Sequence, residues 1–277
     1  MSSSATKKIW IQGLSGKMGL EIQSLVAKTS QWHILGGSGK GELIDRENGR
    51  LEPNWNHLAE HLMRTDLLID FSNAAANLEL FKIIEVSSLR EKAILIGTTG
   101  LSDSLRTAWS QLTKDRQLRL LQAPNTSLGV ILALKISQQV AQVLAPLNFD
   151  IEILEAHHRT KIDSPSGTAK YLADGLANSV AKTPIISRTG QRQNHEIGIA
   201  SLRGGSVFGE HEIRFLGDDE ELVIQHRALS RKLFAQGTLI LADWLLNQPP
   251  GAWTLNDMTI DDIVKLVNGQ KRDQIEI

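Results

Sequence analysis

The stretch EAHHRTKIDSPSGTAK, from Glu155 to Lys170, sets two adjacent histidines, an arginine and a lysine directly before a helix start. Ser164-Pro165-Ser166-Gly167-Thr168 reads as an N-cap with proline at the first helical position. The backbone N–H groups of Ser166, Gly167 and Thr168 would then point at solvent or at an anion. Gly167 allows close approach, and Thr168 adds a hydroxyl. Lys161 adds a mobile positive charge. His157 and His158 add donors that can be protonated near neutral pH. Together these types suit capture of a small dianion such as a dicarboxylate. One carboxylate would lie on the helix N-terminus and the other against His158 and Lys161. A metal is the competing ligand, and none is expected. Neighbouring residues in extended chain point opposite ways, no H-E-x-x-H is present, and a basic loop repels cations. The plain alternative is a basic loop before a capped helix, with no ligand. Of the other histidines, His33, His57 and His61 are placed on surface segments, and His195, His211 and His226 among strands that either pack or line the site.

A second constellation sits near the N-terminus. The strand KIWIQG runs into GLSGKMG, Gly13 to Gly19. Glycines let the chain turn tightly and let a pyrophosphate approach the backbone, and the N–H groups of the next helix then hold the anion. The spacing is G-x-x-G-x-x-G, with Ser15 where a dinucleotide fingerprint has its second glycine. A plain strand-to-helix turn is the alternative. The second strand ends in Gly36-Gly37-Ser38-Gly39-Lys40, without the acid that binds ribose hydroxyls in NAD-specific sites. Ser38 and Lys40 suit a 2′-phosphate better, so NADPH is preferred over NADH. Lys40 as a solvated loop charge is the other reading. Two later strand ends, Gly97-Thr98-Thr99-Gly100 and Ala123-Pro124-Asn125-Thr126, fall on the rim where open α/β sheets bind ligands.

The elements that must position these groups follow from periodicity. Short apolar strands (KIWIQG, WHILGGS, LLIDFS, AILIGTT, LRLLQAPN) alternate with helix-period segments, the signature of parallel crossovers. After Asn125 the pattern changes. SLGVILALKISQQVAQVL reads as a long helix and DIEILEAH as a strand with Ile151 and Ile153 on one face. GEHEIRFLGDDEELVIQHRAL reads as a hairpin turning at GDDE. This region is expected to be rich in antiparallel strands. The fold class is therefore α/β: a doubly wound Rossmann-like cofactor domain over 1–126, completed by C-terminal helices at 240–277, with an α+β substrate and oligomerisation domain over 127–239.

Bulk composition is ordinary for a globular protein: 22% charged, 41% hydrophobic and net charge −1 over 277 residues. The charge balance speaks against nucleic-acid or membrane-surface partners. The absence of cysteine excludes a disulfide scaffold and a thiol nucleophile, and fits a reducing compartment. No signal peptide is read at the N-terminus. Apolar runs such as VILAL and LILADWLL are short for a bilayer. A cytoplasmic location is expected.

EAHHRTKIDSPSGTA closely resembles the signature of dihydrodipicolinate reductases, enzymes that reduce 4-hydroxy-tetrahydrodipicolinate in lysine biosynthesis. The likeness extends over nearly the whole chain. GLSGKMG resembles the family's G-x-x-G-x-M-G turn, Ile96 to Gly100 its second cofactor segment, and IGIASLRGGSVFGEHEIRF its middle strands. The resemblance implies His157 as proton donor or acceptor, and Lys161 as proton donor and carboxylate partner. It implies substrate contacts from His158, Gly167 and Thr168. Cofactor contacts would come from Gly13, Leu14, Ser15, Gly16, Lys17 and Met18, from Gly97, Thr98 and Thr99, and from Ala123, Pro124, Asn125 and Thr126. It also implies a homotetramer built by the middle strands. Two departures bear on the cofactor. NADH-using members commonly carry an acid near Lys40, and the aromatic of an A-x-N-F-S segment is replaced here by Thr126. A non-catalytic dinucleotide and dicarboxylate sensor is the alternative from another class. A related dehydrogenase of the aspartate pathway is the enzymatic one.

Overall fold

A computed structural model describes residues 6–39, 41–52, 55 and 57–270. Lys40, on which the 2′-phosphate reading leans, lies outside them. The chain forms two compact units: residues 1–126 together with 234–277, and residues 127–233. The return to the first unit thus comes at Phe234, six residues before the expected 240.

The first unit runs β1 (Lys7–Gln12), α1 (Lys17–Val26), β2 (Trp32–Gly39), β3 (Glu42–Asp45), β4 (Arg50–Glu52), α2 (Leu58–Met63), β5 (Leu67–Asp70), α3 (Ala74–Val86), β6 (Ala93–Ile96), α4 (Asp103–Arg116) and β7 (Arg119–Gln122). The second unit holds α5 (Leu128–Leu144), a 3-10 turn (Ala145–Leu147), β8 (Asp150–His157), α6 (Gly167–Val180), β9 (Thr183–Ile186), β10 (Glu196–Arg203), β11 (Glu210–Leu216) and β12 (Glu221–Arg227). The chain closes with α7 (Lys232–Leu246), β13 (Gly251–Thr254) and α8 (Ile260–Gln270).

The first sheet has the order β13-β7-β6-β5-β1-β2-β3-β4. From β13 to β2 the pairs are parallel, and β3 and β4 add an antiparallel edge. The strand order reverses at β1, so the crevice for a ligand lies beyond the carboxyl ends of β1 and β5. Ile9, Trp10 and Ile11 are all fully buried, as expected of a central parallel strand covered on both faces. His61, placed on the surface from its segment, is instead 8% exposed and stacks on Trp10 at 4.9 Å between ring centroids. The short strands β3, β4 and β13 escaped the periodicity reading because three or four residues carry almost no alternation.

The second sheet, β12-β11-β8-β10-β9, is mixed rather than mainly antiparallel. β8 pairs with β10 and β10 with β9 in parallel, while β11 is antiparallel to both β8 and β12. The cause is α6. A helix between β8 and the strands that follow carries the chain back across the sheet, which makes the next strands parallel. The expected hairpin is present, with Phe215 opposite Leu222 and Ile213 opposite Ile224. Alternate β8 residues Ile151, Ile153, Glu155 and His157 are buried. Ile151 and Ile153 join Val130 and Leu134 of α5 and Leu172 and Leu176 of α6 in this unit's core. The stretch Leu128–Leu147 is long and apolar enough by composition to cross a membrane, whereas no such run was expected. Here α5 sets its apolar side, Val130, Ile131, Leu134 and Ala141, into the core of the unit.

Candidate active site

In the first unit β1 delivers the chain into the glycine turn. Gly13 has φ +86°, and a Cβ there would lie 2.6 Å from the Phe71 carbonyl oxygen, so only glycine fits without displacement. The N–H groups of Gly13 and Leu14 both donate to Ser38 O at 2.8 Å, and that of Gly16 donates to Gly13 O at 2.9 Å. These donors hold the turn together. Leu14 is 3% exposed and packs on Gly37. Gly13, Leu14 and Gly16 were grouped with the cofactor contacts; their N–H groups shape the cradle instead. The outward positions are Ser15 and Lys17, which are exposed, and half-buried Met18. α1 starts from Gly16 with no side-chain cap and no acid in its first turn. By contrast Asn73, Ser102, Ser127 and Ser166 each cap the helix that follows them. An open helix start behind a glycine turn fits a dinucleotide pyrophosphate.

The 2′-phosphate reading loses one of its two residues. Ser38 is 1% exposed and its hydroxyl donates to Gln12 Oε1, because β2 runs on through Gly39 and places Ser38 inside the sheet. Asp45, an acid close in sequence to the strand end, is also spent. It is 2% exposed and accepts from Asn48 at 2.9 Å and from Arg64 at 3.2 Å.

Beyond β5, Asp70 organises the rim. Its carboxylate accepts from Asn77 at 2.7 Å, from Thr98 at 2.9 Å and from the Ser72 hydroxyl at 2.5 Å. Burial pushes this carboxyl above the usual range despite those donors. Asn77 in turn accepts from Trp109 Nε1 at 2.9 Å. Gly97 lies against the Phe71 ring, where a Cβ would collide. The Thr98 hydroxyl is therefore a structural group, and Thr99, which is exposed, is the one that reaches outward. At the end of β7, Ala123 is fully buried and its N–H donates to Ile96 O at 2.9 Å, while Pro124 is exposed. Asn125 is 8% exposed. The Thr126 hydroxyl donates to Phe234 O at 2.8 Å and accepts from Thr238 at 3.2 Å, so it secures α7 rather than a nicotinamide.

In the second unit β8 carries the chain to His157. The strand alternates, so Glu155 and His157 face the core and the next residue, His158, turns outward. Glu155 is fully buried. Its Oε2 pairs with His157 Nδ1, and its Oε1 accepts from Arg203 Nη2 at 2.7 Å and from Ser166 N at 3.2 Å. Burial alone would raise its pKa. The donors Arg203, Ser201, His157 and Ser166 outweigh it and hold the carboxyl at about 2. Burial pushes His157 below the usual histidine range, Glu155 pulls it back, and the Lys161 and Arg203 charges add to the depression. The His211 ring meets that of His157 edge-on at 5.2 Å and donates to or accepts from Ser166 Oγ at 3.1 Å. Burial, followed by the neighbouring His157, pushes His211 down to about 3, so it stays neutral.

Helix α6 begins later than the sequence suggests. Ser166, not Ser164, is the N-cap: its hydroxyl accepts from Ala169 N at 3.1 Å. Its own N–H is taken by Glu155, so it does not face a ligand as expected. Gly167 and Thr168 form the first turn. Lys161 Nζ donates to Asp163 at 2.7 Å, and the Gly167 N–H also serves that carboxylate. The two anchors expected for a substrate carboxylate thus already meet a carboxylate of the chain. His158 Nδ1 shares a hydrogen bond of 2.8 Å with the Thr160 hydroxyl. His195 is exposed at the opposite end of β10, and His226 bonds Ser127 Oγ at 3.2 Å behind the start of α5. Of the three, only His211 lines the site. Ligand atoms of Glu155, His157 and His211 lie within 4.8 Å of one another, a spacing open to a metal ion. Arg203 already occupies the carboxylate, and its charge opposes a cation. Sequence reasoning missed Glu155 and Arg203 as site residues and left His211 open between packing and lining the site. The alternation of β8 would have put Glu155 beside His157, but Arg203 and His211 arrive from other strands.

A parallel sheet with a glycine turn at an uncapped helix start, carried in one chain with a basic loop and a buried histidine, fits a dinucleotide-dependent oxidoreductase. The comparisons narrow this class. Residues 7–126 match the family described as dihydrodipicolinate reductase, N-terminus, and residues 129–259 match its C-terminus. The chain belongs to the dihydrodipicolinate reductase family. It is 36% identical over 264 residues to the 4-hydroxy-tetrahydrodipicolinate reductase of Aquifex aeolicus, covering 91% of this chain and 98% of that one. It is 38% identical over 270 residues to the enzyme of the same name from Geotalea uraniireducens, again over 91% and 98%. Among solved structures, the dipicolinate-bound dihydrodipicolinate reductase of Paenisporosarcina sp. TG-14 shares the fold with a TM-score of 0.69. It is 22% identical, over 91% of this chain and all of that one.

Proposed function

We propose that this chain reduces 4-hydroxy-tetrahydrodipicolinate to tetrahydrodipicolinate, in the diaminopimelate route of lysine biosynthesis, with NADPH preferred over NADH. The observation that carries the reading is the convergence on one loop of His157, Lys161 and the start of α6, a receptor matched to a cyclic dicarboxylate. Loss of the substrate's 4-hydroxyl as water leaves a conjugated imine. Bound NADPH would supply a hydride from C4 of its nicotinamide to substrate C4. The negative charge left on the conjugated system then takes a proton from His157 or Lys161. General acid help of this kind is worth about 10²–10⁴-fold. Gly167, Thr168 and His158 orient the carboxylates. On the cofactor side Ser15, Lys17 and Met18 face the pyrophosphate, and Thr99, Pro124 and Asn125 line the nicotinamide rim. The preference for NADPH rests on Lys40 and on the sequestration of Asp45 from any ribose. The same reading carries a cytoplasmic location and a homotetramer, which sedimentation would measure.

The test is a coupled assay. The unstable substrate is generated in place by its synthase from pyruvate and aspartate semialdehyde, and oxidation of NADPH and NADH is followed in parallel. Rapid oxidation is expected with both, faster with NADPH. Lys161→Ala should cut kcat/KM at least a hundredfold; a near-normal value removes Lys161 from the mechanism. Lys40→Glu should move the rate ratio towards NADH. Absence of turnover with either cofactor, in folded protein, would favour the sensor.

A further inference from the structure

We propose that Glu155 is the positioning residue of this site: its one buried carboxylate fixes the tautomer of His157 and anchors the start of α6. The proposal rests on the reading above that His157 exchanges a proton with substrate.

Glu155 is fully buried between β8, β10 and the start of α6. Burying a carboxylate and a guanidinium is costly, and a well-packed apolar pair often serves stability as well. What the carboxylate adds is direction. Paired with Arg203 at 2.7 Å it is ionised, and an ionised carboxylate only accepts hydrogen bonds. His157 Nδ1 must therefore carry the hydrogen, which leaves Nε2 as the atom that gives and takes the catalytic proton. Gly209 keeps that side of the ring clear; a Cβ there would stand 3.1 Å from Nε2. The other carboxylate oxygen takes the Ser166 N–H and so sets where α6 begins. Arg203 extends the same bracket, since its Nη2 also donates to Asp163 O at 2.7 Å. The start of the loop from His158 to Pro165 is pinned, with Gly204 N donating to His157 O and Arg159 N to Gly205 O. The charged or titratable groups around His157 are Glu155 on its own strand, Arg203 on β10, His211 on β11, and Lys161 with its partner Asp163 in the loop.

The first measurement needs no variant: the ¹⁵N signals of the His157 imidazole in the full-length protein. Hydrogen on Nδ1 is expected, and hydrogen on Nε2 of the neutral ring overturns the proposal. Glu155→Gln keeps the shape and removes the charge. It should lower kcat by about 10- to 100-fold and move the pH limb belonging to protonated His157 to lower pH, because the lost charge favoured protonation. It should also weaken binding of dipicolinate, used as the dicarboxylate probe, severalfold, with the KM for NADPH unchanged. If Glu155→Gln does not fold, Glu155→Asp retains the charge for Arg203 and withdraws it from His157; the same fall in kcat is expected. His157→Ala separates the two claims. If it is inactive while Glu155→Gln keeps the wild-type pH profile and ¹⁵N pattern, positioning by Glu155 is overturned and the role of His157 stands. If His157→Ala turns over normally, both are overturned.

Discussion

Helix α1 begins at a glycine with no side-chain acceptor, whereas α6 begins at Ser166, whose hydroxyl caps Ala169 and whose N–H is taken by Glu155. Both helix starts are read as seats for anions. The first is made by removing side chains, so that bare backbone can approach a phosphate. The second is made by adding them, and each added group is held by another. A pyrophosphate is a large, doubly charged target that tolerates a simple receptor. A small ring that must also receive a proton needs a receptor with fixed chemistry at one atom. The difference in construction follows from the difference in demand.

The contrast can be broken most forcefully at the bare end. Gly13→Ala places a side chain at φ +86° and a Cβ 2.6 Å from a backbone carbonyl. Strain of about 1–2 kcal/mol with overpacking of about 1–3 kcal/mol should cost roughly 3 kcal/mol and abolish dinucleotide binding. Thermal unfolding and a cofactor titration would measure both. The furnished end should fail in acid. Glu155 is held at about 2 against 4.5 for a free glutamate. Its folded pKa is depressed, so its contribution is complete above pH 4.5 and disappears as pH falls through about 2. The loss amounts to about 3 kcal/mol, and Glu155→Gln should flatten that part of the stability curve against pH. The smallest effect is Ser166→Ala. Loss of the cap costs about 1 kcal/mol and should weaken dipicolinate binding while leaving cofactor affinity alone. Equal losses in both ligands would erase the contrast between the two ends.

Most of the chemistry was legible where it is contiguous. The glycine turn and the His157 to Thr168 loop were read from neighbouring residues, because local spacing fixes local geometry. Hydroxyls misled the reading. Ser38, Thr98 and Thr126 stand at strand ends where a cofactor would pass, yet each bonds a buried acceptor or carbonyl of the fold. A buried hydroxyl needs a partner as much as a ligand does, and sequence does not say which will claim it. Arg203 was out of reach, and His211 stayed undecided, for another reason. They meet Glu155 and His157 through strand pairing across long stretches of chain, and the mixed order of the second sheet decides which residues face one another. The offset at Ser166 comes from the same source, since its N–H is claimed by a residue eleven positions upstream.

Because Thr126 is bonded to both the Phe234 carbonyl and the Thr238 hydroxyl, the chain leaves the nucleotide-binding unit and re-enters it at a single knot of hydrogen bonds. Residues 127–233 are therefore an insert carried on a closed stem, and among the described residues no strand of the first sheet pairs with one of theirs. A lineage could trade one such insert for another and keep its cofactor chemistry, changing what is reduced without relearning how to hold the reductant.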